Sequence, residues 1–442
     1  MTTIRHGIET GGAALWYYFC KAMNEIASWK GLKQLLTTRL YGNALYLILN
    51  TGVMSILGFF FWVVVARFYT EAEVGFSSAI ISVIGLLTSL SLLGLNFSLI
   101  RFLPQAKSPK ELINTGLTLG GLTGLVTAAI FLAGLNLWSA PLRFIAQNAI
   151  FASAFIAFTL VGVLSRLTDF TFLAKRRAEF ILYKNTIFSL LKIPLPICFV
   201  LYFHTFGIVA SWGVASGVAL VLTLFLFLPK VQSPYAPVPT LNLTQFKHMW
   251  RYSGGSYLAS LFSEAPLYLL PVMVVNLLGA ESNAYYYLTR MMAGFLFTIP
   301  TAVSSSLFAE SSHFESKLVE NSVRSLKFTF LLLVPAVLLF VFTGKWLLLL
   351  FGESYSANAL YLLQILAISS LPLAINHIYY TILRVTNRIV ELTIISGLMA
   401  IAVLVASYLV IPLSGIIGIG YTLLGAQSVL AIYVLARRAS LS

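Results

Sequence analysis

Charged residues are scarce in this sequence. Asp, Glu, Lys and Arg make up 10% of its 442 residues, whereas about 25% is usual for a soluble domain. Acidic residues are the scarcer kind, with 14 against 28 basic ones. A composition this poor in charge excludes an ordinary soluble globular protein.

Cysteine is almost absent, and so are the motifs of cofactor chemistry. The two cysteines, Cys20 and Cys198, are far apart in the sequence, so no disulfide framework or metal site is indicated. The sequence also lacks a Gly-x-x-x-x-Gly-Lys loop for nucleotide phosphates. We expect a protein with no catalytic site, no cofactor and no metal.

Long apolar runs are abundant instead. Hydrophobic residues make up 59% of the chain, and apolar runs of about 20 residues, each long enough to cross a hydrocarbon core of ~30 Å, recur along it. The sequence therefore predicts an all-α, polytopic membrane protein with about 12 transmembrane helices. The predicted spans are 44–66, 77–100, 113–135, 149–173, 183–203, 206–229, 254–278, 284–307, 327–350, 358–382, 389–411 and 415–436.

The basic residues indicate an orientation in the membrane. The net charge is +14, and most Lys and Arg residues fall on the side of the predicted spans that carries both termini. An excess of Lys and Arg marks cytoplasmic loops. We therefore expect a multi-pass protein of the cell (plasma) membrane with both termini in the cytoplasm, and no nucleic-acid partner.

Two stretches outside the spans divide the chain. Residues 1–42 lack a signal-peptide pattern, and their aromatic residues from Trp16 to Trp29 recur at helical spacing, which predicts an amphipathic cytoplasmic segment. Residues 230–250 begin with a proline-rich run that cannot be helical. These stretches predict one six-helix lobe at 43–229, a cytoplasmic linker, and a second six-helix lobe at 251–442.

A helical hairpin at the start of the first lobe returns in the second. Residues 43–104 comprise a span, a short turn closed by Gly75, and another span. Residues 254–307 repeat this order, with Gly279 in the turn. Because both lobes begin on the same side, the pattern predicts a parallel 6+6 repeat, in which transporters bind substrate between two halves that rock in alternation.

Ionisable residues inside spans are costly and usually mark a pathway. Arg166, Asp169 and Lys192 are predicted ~13, ~9 and ~12 Å from the cytoplasmic end, at ~1.5 Å per residue. Two interpretations stay open. The residues either form a structural ion pair between the fourth and fifth spans, or provide a basic floor for an anionic headgroup.

The second lobe carries three further ionisable groups. Glu264 and Arg290 are predicted at levels that differ by only ~5 Å, so they could form a pair. Glu264 either binds a proton or cation that drives rocking or belongs to a structural pair. His377, beside Asn376, is either a proton carrier or a hydrogen-bonded structural residue. Together with Asp169, Glu264 and His377 are the candidates for ion coupling.

Two short motifs resemble a known family. Ala66-Arg67-Phe68-Tyr69, followed by Gly75, closes the first span, and Arg101-Phe102-Leu103 ends the second. Both resemble the polysaccharide-transporter branch of the multidrug/oligosaccharidyl-lipid/polysaccharide exporter superfamily. With the 6+6 layout, the resemblance covers residues 43–436 and implies a MATE-like fold.

The resemblance also implies a function. Such proteins are flippases that move lipid-linked oligosaccharide, a polyprenyl-(di)phosphate sugar, from the cytoplasmic to the outer leaflet during synthesis of cell-surface polysaccharide. The implied partners are this cargo, membrane lipids and glycan assembly enzymes. Cationic side chains would offset the phosphate charge. The candidates are Arg67 and Arg101, carried over from the motifs, and Arg166, Lys192 and Arg290, inferred from depth.

Three other functions remain open. A drug or cation antiporter of the same superfamily would usually carry several intramembrane carboxylates, whereas only Asp169 and Glu264 are deep here, and cations outnumber them. A membrane glycosyltransferase could use Glu71-Ala72-Glu73. A non-transporting assembly scaffold is the third. Arg67 could likewise serve only to anchor the outer interface.

Overall fold

The computed structural model describes residues 39–311 and 318–439, and the regular structure in these residues is helical. Most of the predicted amphipathic segment at 1–42, including Trp16 and Trp29, lies outside the described residues. The spanning helices are α1 (Arg39–Phe68), α2 (Glu71–Ser91), α3 (Pro109–Ala133), α4 (Ala149–Ala174), α5 (Glu179–Leu201), α6 (Phe203–Val231), α7 (Leu243–Leu278), α8 (Ala280–Ser311), α9 (Leu318–Leu349), α10 (Glu353–Val385), α11 (389–414) and α12 (416–439).

Short helices complete the connections. After a left-handed turn at Leu93 and Gly94, α2 continues as Leu95–Phe102 and the 3-10 turn Leu103–Gln105. A bend at His204, where φ is 43°, separates α5 from α6. Three further short helices join α3 to α4: Leu135–Trp138, Ala140–Leu142 and Phe144–Gln147.

The number of membrane crossings matches the prediction. Eleven helices among the described residues are long and apolar enough to span a membrane, but the last, Ile389–Arg437, has 49 residues. At 1.5 Å per residue it would be ~73 Å long, more than two hydrocarbon cores. Its backbone breaks at Gly415 (φ 60°, ψ −150°), and Glu391 pairs with Arg437 across the break. Hence α11 and α12 lie side by side, and the described residues form twelve helices long and apolar enough to cross a membrane.

One predicted boundary differs from the structure. Helix α7 begins at Leu243, inside the predicted linker, because the last proline of the run is Pro239. The non-helical part of the linker is therefore 232–242.

This non-helical segment is fastened to α3. The Tyr235 hydroxyl donates to Oδ1 of Asn114 (2.7 Å), and the Asn114 amide donates to the Ala236 carbonyl (3.0 Å). Further on, the Thr240 amide donates to the Thr118 hydroxyl (3.0 Å). We call the end of the bundle that carries this segment the linker end, and the opposite end, which carries the α1–α2 and α7–α8 turns, the turn end.

The turn between α1 and α2 is fixed by local hydrogen bonds. Thr70 and Glu73 form a capping box, in which each side chain accepts a hydrogen bond from the other residue's backbone amide. The Tyr69 hydroxyl donates to the Pro196 carbonyl (2.8 Å). Burial, with the nearby Glu73 carboxylate, raises the pKa of Tyr69 to about 12, so the hydroxyl remains a donor at neutral pH.

Helix α2 joins the two halves of the chain, which we define as residues 43–229 and 251–439. Within the first half, α1 packs on α5, and α6 packs on α2, α4 and α5. Within the second, α10 packs on α8, α9 and the α11–α12 pair. Across the halves, α2 packs on α7 and α8. Its many small residues allow such close approach.

The closest approach is at the turn end. A Cβ atom added to Gly75 of α2 would lie 1.7 Å from the Ala280 carbonyl oxygen of α8. Next to this contact, the Asn283 amide donates to the Gly75 carbonyl (2.7 Å) and the Ser78 hydroxyl (3.0 Å). A residue larger than glycine at position 75 would force α2 and α8 apart.

Two polar contacts extend this junction. The Arg67 guanidinium donates to the carbonyls of Leu350 (3.0 Å) and Leu349 (2.8 Å), at the end of α9. The Ser354 hydroxyl donates to a carboxylate oxygen of Glu71 (2.5 Å). Since a cation at a helix C-terminus is favourable, Arg67 fastens the first half to the second.

Gly75→Ala is expected to lower the free energy of unfolding by about 1–3 kcal/mol, as overpacking of a tight contact does. Gly52→Ala is the matched control, because Gly52 lies within α1 with no heavy atom within 4 Å of a Cβ; it should be neutral or stabilising. Thermal unfolding of both variants in detergent measures the difference. Equal melting temperatures would contradict the close approach of α2 and α8.

Candidate transport site

A cluster of polar side chains joins the halves deep in the bundle. Glu264 of α7 accepts a hydrogen bond from the Ser89 hydroxyl of α2 (2.6 Å) and from the Arg166 guanidinium of α4 (3.2 Å). Tyr268 lies beside Arg166 and packs closely on Gly85 of α2. We call Ser89, Arg166, Glu264 and Tyr268 the interface cluster.

The ion pair in this cluster remains accessible. The side chains of Arg166 and Glu264 are 40% and 31% exposed. A half-exposed pair of this kind contributes only about 1 kcal/mol or less. It therefore can open and re-form without a large change in stability.

The predicted pairing of Glu264 with Arg290 is wrong. Glu264 faces the first half, whereas the Arg290 guanidinium lies over the Phe297 ring, 4.5 Å from its centroid, within the second half. The two residues lie at suitable depths along their helices. Depth does not reveal, however, that they occupy opposite sides of the α7–α8 hairpin.

The prediction that Arg166, Asp169 and Lys192 form one group is wrong for Lys192, whereas Arg166 and Asp169 of α4 do lie near each other. Asp169 pairs with Lys184, at 2.5 Å. The Lys184 ammonium also donates to the carbonyl (3.0 Å) and hydroxyl (2.9 Å) of Ser165. The predicted fifth span starts at 183, which puts Lys184 at its cytoplasmic end, but α5 begins at Glu179, so Lys184 lies in its second turn and faces α4. Its side chain is 2% exposed.

Lys192 lies apart from that pair. Its ammonium is 4.6 Å from the Phe188 ring centroid and 5.2 Å from that of Phe61, and the residue is 6% exposed. Attraction between a cation and the faces of aromatic rings stabilises this arrangement. Lys192 therefore ties α5 to α1.

The two arginines carried over from the motifs lie at opposite ends. Arg67 binds the α9 carbonyls at the turn end. Arg101 lies at the linker end, in the last turn of Leu95–Phe102, and its residue is exposed. The structure does not bring Arg67, Arg101, Arg166, Lys192 and Arg290 together into one binding site.

A cavity of about 580 Å³ lies within the second half, enclosed by α7, α8, α10, α11 and α12. We call it the second-half cavity. Ser263 and Pro266 of α7 line it, whereas Glu264 of the same helix faces the interface cluster. Helix α7 thus separates the two sites.

The second-half cavity is basic and rich in hydroxyl groups. Arg290, His377 and Arg384 line it, and none of the described residues around it is Asp or Glu. The charge pattern of the sequence pointed to Arg290 and His377 but not to Arg384, which it places in a loop. The wall includes the hydroxyl-bearing residues Ser263, Thr301, Ser304, Ser305, Ser369, Thr381 and Ser396.

Lys184→Met is expected to destabilise the protein by about 1–3 kcal/mol, because it leaves the largely buried Asp169 carboxylate without its ion-pair partner. Adding Asp169→Asn should recover part of this loss. Unfolding of the single and double variants in detergent measures the coupling. Removing the exposed Arg324–Glu320 pair is the control and should change little. Strictly additive losses at 169 and 184 would contradict a buried pair.

Comparison with known proteins agrees with this architecture. Residues 40–308 match the model of a family described as polysaccharide biosynthesis protein. A Shigella flexneri protein named as a putative O-antigen transporter is 26% identical over 126 residues, which are 28% of this chain and 30% of that protein. The match thus spans less than a third of that relative.

Several solved structures share the fold. The lipid II flippase MurJ, in an inward closed conformation, has a TM-score of 0.71 at 13% identity, covering 90% of this chain and 87% of its own. An inward-facing multidrug resistance MATE transporter has a TM-score of 0.66 at 14% identity, covering 88% and 95%. A MOP superfamily transporter from Pyrococcus furiosus has a TM-score of 0.60 at 14% identity, and the match covers 92% of this chain and 96% of that one.

The fold likeness alone would not place the chain in a family, because the identities are low. The family match does, since it covers more than half of the sequence and confirms the resemblance seen in the motifs. The chain belongs to the polysaccharide biosynthesis protein family and is a multi-pass membrane protein with the fold of the MATE and MurJ transporters.

Proposed function

We propose that the protein is a flippase that moves lipid-linked oligosaccharide across the membrane by alternating access. The family match, the relative named for O-antigen transport and the likeness to a lipid II flippase support this class of cargo. In the proposal, a polyprenyl-(di)phosphate sugar enters between the two halves.

The charge balance inside the bundle is the observation that carries the proposal. Both deep carboxylates of the described residues are paired, Glu264 with Arg166 and Asp169 with Lys184. Arg290 and Lys192 have no carboxylate partner among those residues. A cation antiporter would need unpaired carboxylates in its pathway, whereas this excess of positive charge suits a phosphate-bearing cargo.

We assign the linker end to the cytoplasm, as the distribution of basic residues favours. The conformation is then closed toward the outside, because the contacts of Arg67, Gly75 and Asn283 close the turn end. Cargo would enter from the cytoplasmic leaflet. Movement of the cargo outward requires these turn-end contacts to separate.

The lipid tail needs a lateral opening, for which α1 and α8 are the candidates. Their aromatic contacts lie toward the turn end, at Trp62–Tyr287 (5.0 Å) and Phe59–Phe295 (6.3 Å). Farther toward the linker end, Ile48 and Ile56 of α1 are exposed, as are hydroxyl-bearing residues of α8, including Thr301 and Ser305. An apolar edge beside a polar wall suits an amphiphilic cargo.

The interface cluster would act as the switch. A cargo phosphate that binds Arg166 competes with Glu264, and loss of that pair releases α7 from α4. The Arg166–Glu264 pair, with both side chains partly exposed, is weak enough to break in each cycle. In the Asp169–Lys184 pair the ammonium is 2% exposed and also donates to Ser165, which holds it in place. We therefore assign ion coupling to Glu264, where protonation would also release Arg166, and a structural role to Asp169.

A glycosyltransferase is the less favoured alternative. It would need free carboxylates in the turn between α1 and α2. Glu73 is part of the capping box with Thr70, and Glu71 accepts from Ser354. Both carboxylates therefore stabilise the turn-end junction.

Arg166→Gln is expected to slow flipping of lipid-linked oligosaccharide in reconstituted vesicles by about tenfold or more, since hydrogen bonds to charged groups contribute ~1.5–3 kcal/mol. Arg324→Gln, at an exposed surface pair, is the matched control and should flip at the wild-type rate. The fraction of labelled cargo accessible to an added hydrolase measures translocation.

Two results would count against the proposal. If the wild-type protein moves no cargo while a known flippase does in the same vesicles, the assigned function is wrong. If Arg166→Gln flips at the wild-type rate, Arg166 does not lie on the pathway.

A further inference from the structure

An open apolar groove of about 360 Å³ runs along the first half toward the linker end. Six leucines of α3, α4 and α6 line it: Leu117, Leu122, Leu125, Leu160, Leu164 and Leu224. The non-helical segment between the halves forms another wall, with Pro237, Val238 and Pro239. We call this site the linker groove.

The linker groove faces the lipid rather than the interior of the bundle. Leu122 and Leu125 of its wall are 46% and 39% exposed. Its described lining includes no residue of the second half, so it is separate from the interface cluster and from the second-half cavity. Hydrocarbon chains must fill such a groove in a membrane, because empty space forfeits dispersion contacts along its walls.

The length of the groove matches one leaflet of the membrane. Along α3, the lining residues run from Asn114 to Leu125, a distance of ~16 Å at 1.5 Å per residue. Half of a ~30 Å hydrocarbon core is ~15 Å. One acyl chain from the leaflet at the linker end therefore fills the groove along its length.

The polarity of the wall changes along the groove as the polarity of a lipid does. Asn114 and Thr118, near the linker end, are polar, and both are hydrogen-bonded to the non-helical segment. From Gly121 onward, toward the middle of the membrane, the described α3 lining is apolar. A lipid seated in the groove would thus have its headgroup at the linker end.

Basic side chains lie at this polar end. Three exposed lysines there have no carboxylate partner among the described residues: Lys107, Lys110 and Lys230. Lys110 is one helical turn before Asn114 and shares its face of α3. Because helical side chains tilt toward the N-terminus, its ammonium extends from the groove toward the level of the lipid headgroups.

The acidic residue nearest in sequence to these lysines does not cancel their charge. Glu111, in the first turn of α3, accepts a hydrogen bond from the Asn242 amide (3.0 Å). One carboxylate against three ammonium groups leaves an excess of positive charge. Each basic residue close to a membrane surface favours anionic lipid.

Non-specific contact with bulk lipid accounts for less of this arrangement. Every exposed apolar helix face in a membrane meets acyl chains, but such a face needs no wall built by an interhelical segment. The general excess of Lys and Arg on the cytoplasmic side explains basic loops. It does not explain why Lys110 continues, within α3, the stripe of residues that lines the groove.

We propose that the linker groove is a binding site for an anionic glycerophospholipid of the leaflet at the linker end. One acyl chain lies along the six leucines, and the phosphate group lies beside Lys110. The bound lipid also contacts Pro237, Val238 and Pro239, and so stabilises the non-helical segment against α3. This inference stands whether or not the protein flips oligosaccharide.

Native mass spectrometry of the purified full-length protein tests the headgroup. Phosphatidylglycerol and phosphatidylethanolamine with the same acyl chains are supplied in equal amounts, and we expect the protein to retain phosphatidylglycerol preferentially. Lys110→Gln should lower this preference about fivefold, the effect of one basic residue near an anionic surface. Lys327→Gln, which removes an exposed lysine of α9 outside the groove, is the matched control and should leave the preference unchanged.

A second pair of variants tests the apolar wall. Leu125→Trp places a larger side chain in the groove and should abolish retention of the lipid. Val126→Trp changes the neighbouring exposed position, outside the described lining, and should retain the lipid as wild type does. Both positions are on the exposed surface of α3, so both variants should fold.

Hydrogen exchange tests the effect on the non-helical segment. Added phosphatidylglycerol should slow exchange of the backbone amides within 232–242 in the wild type but not in Leu125→Trp. Exchange that is the same with and without this lipid would overturn the proposed stabilisation of the segment.

Four other results would overturn the site. They are equal retention of the two phospholipids by the wild type, equal preferences in Lys110→Gln and Lys327→Gln, equal retention by Leu125→Trp and Val126→Trp, and displacement of the phospholipid by polyprenyl phosphate. The last result would assign the groove to a polyprenyl tail instead. Failure of the flipping assay with phospholipid retention intact would reject only the proposed transport.

Discussion

The cost of an unpaired charge in hydrocarbon constrains the interior of this protein more than any other factor. Lys184 offsets this cost for Asp169, and two aromatic rings offset it for Lys192. Arg166 offsets it for Glu264 across the two halves. At Arg290, as at Lys192, an aromatic ring rather than a carboxylate contacts the cation, here the ring of Phe297.

The two ion pairs inside the bundle differ in what they join and in the burial of their cations. The Asp169–Lys184 pair lies within one half and holds α4 to α5; its ammonium is 2% exposed and its carboxylate 27%. The Arg166–Glu264 pair crosses the halves and is partly exposed, so it is weak enough to exchange for a cargo phosphate. Helix α2, with its small residues, contacts both α7 and α8 and allows the halves to meet closely at Gly75.

The sequence predicted the class of fold and the family but not the pairing of charges. Hydropathy and loop charge depend on one-dimensional periodicity, so twelve crossings and the Gly75 turn could be foreseen. Which charges meet depends on helix rotation, which depth along a helix does not specify. Lys184 was therefore missed, Glu264 was paired with the wrong arginine, and Arg384 could not be recognised until α8 and α10 were seen to share a cavity.

Alternating access through a switch between the halves is the central claim, and two distances test it most directly. Spin labels at Gln147 and Glu353 report on the turn end, and labels at Lys107 and Arg324 on the linker end, in protein lacking Cys20 and Cys198. Adding lipid-linked oligosaccharide should lengthen the turn-end distance and shorten the linker-end distance, both measured by double electron–electron resonance. Two distances unchanged by cargo, or changing in the same direction, would contradict it.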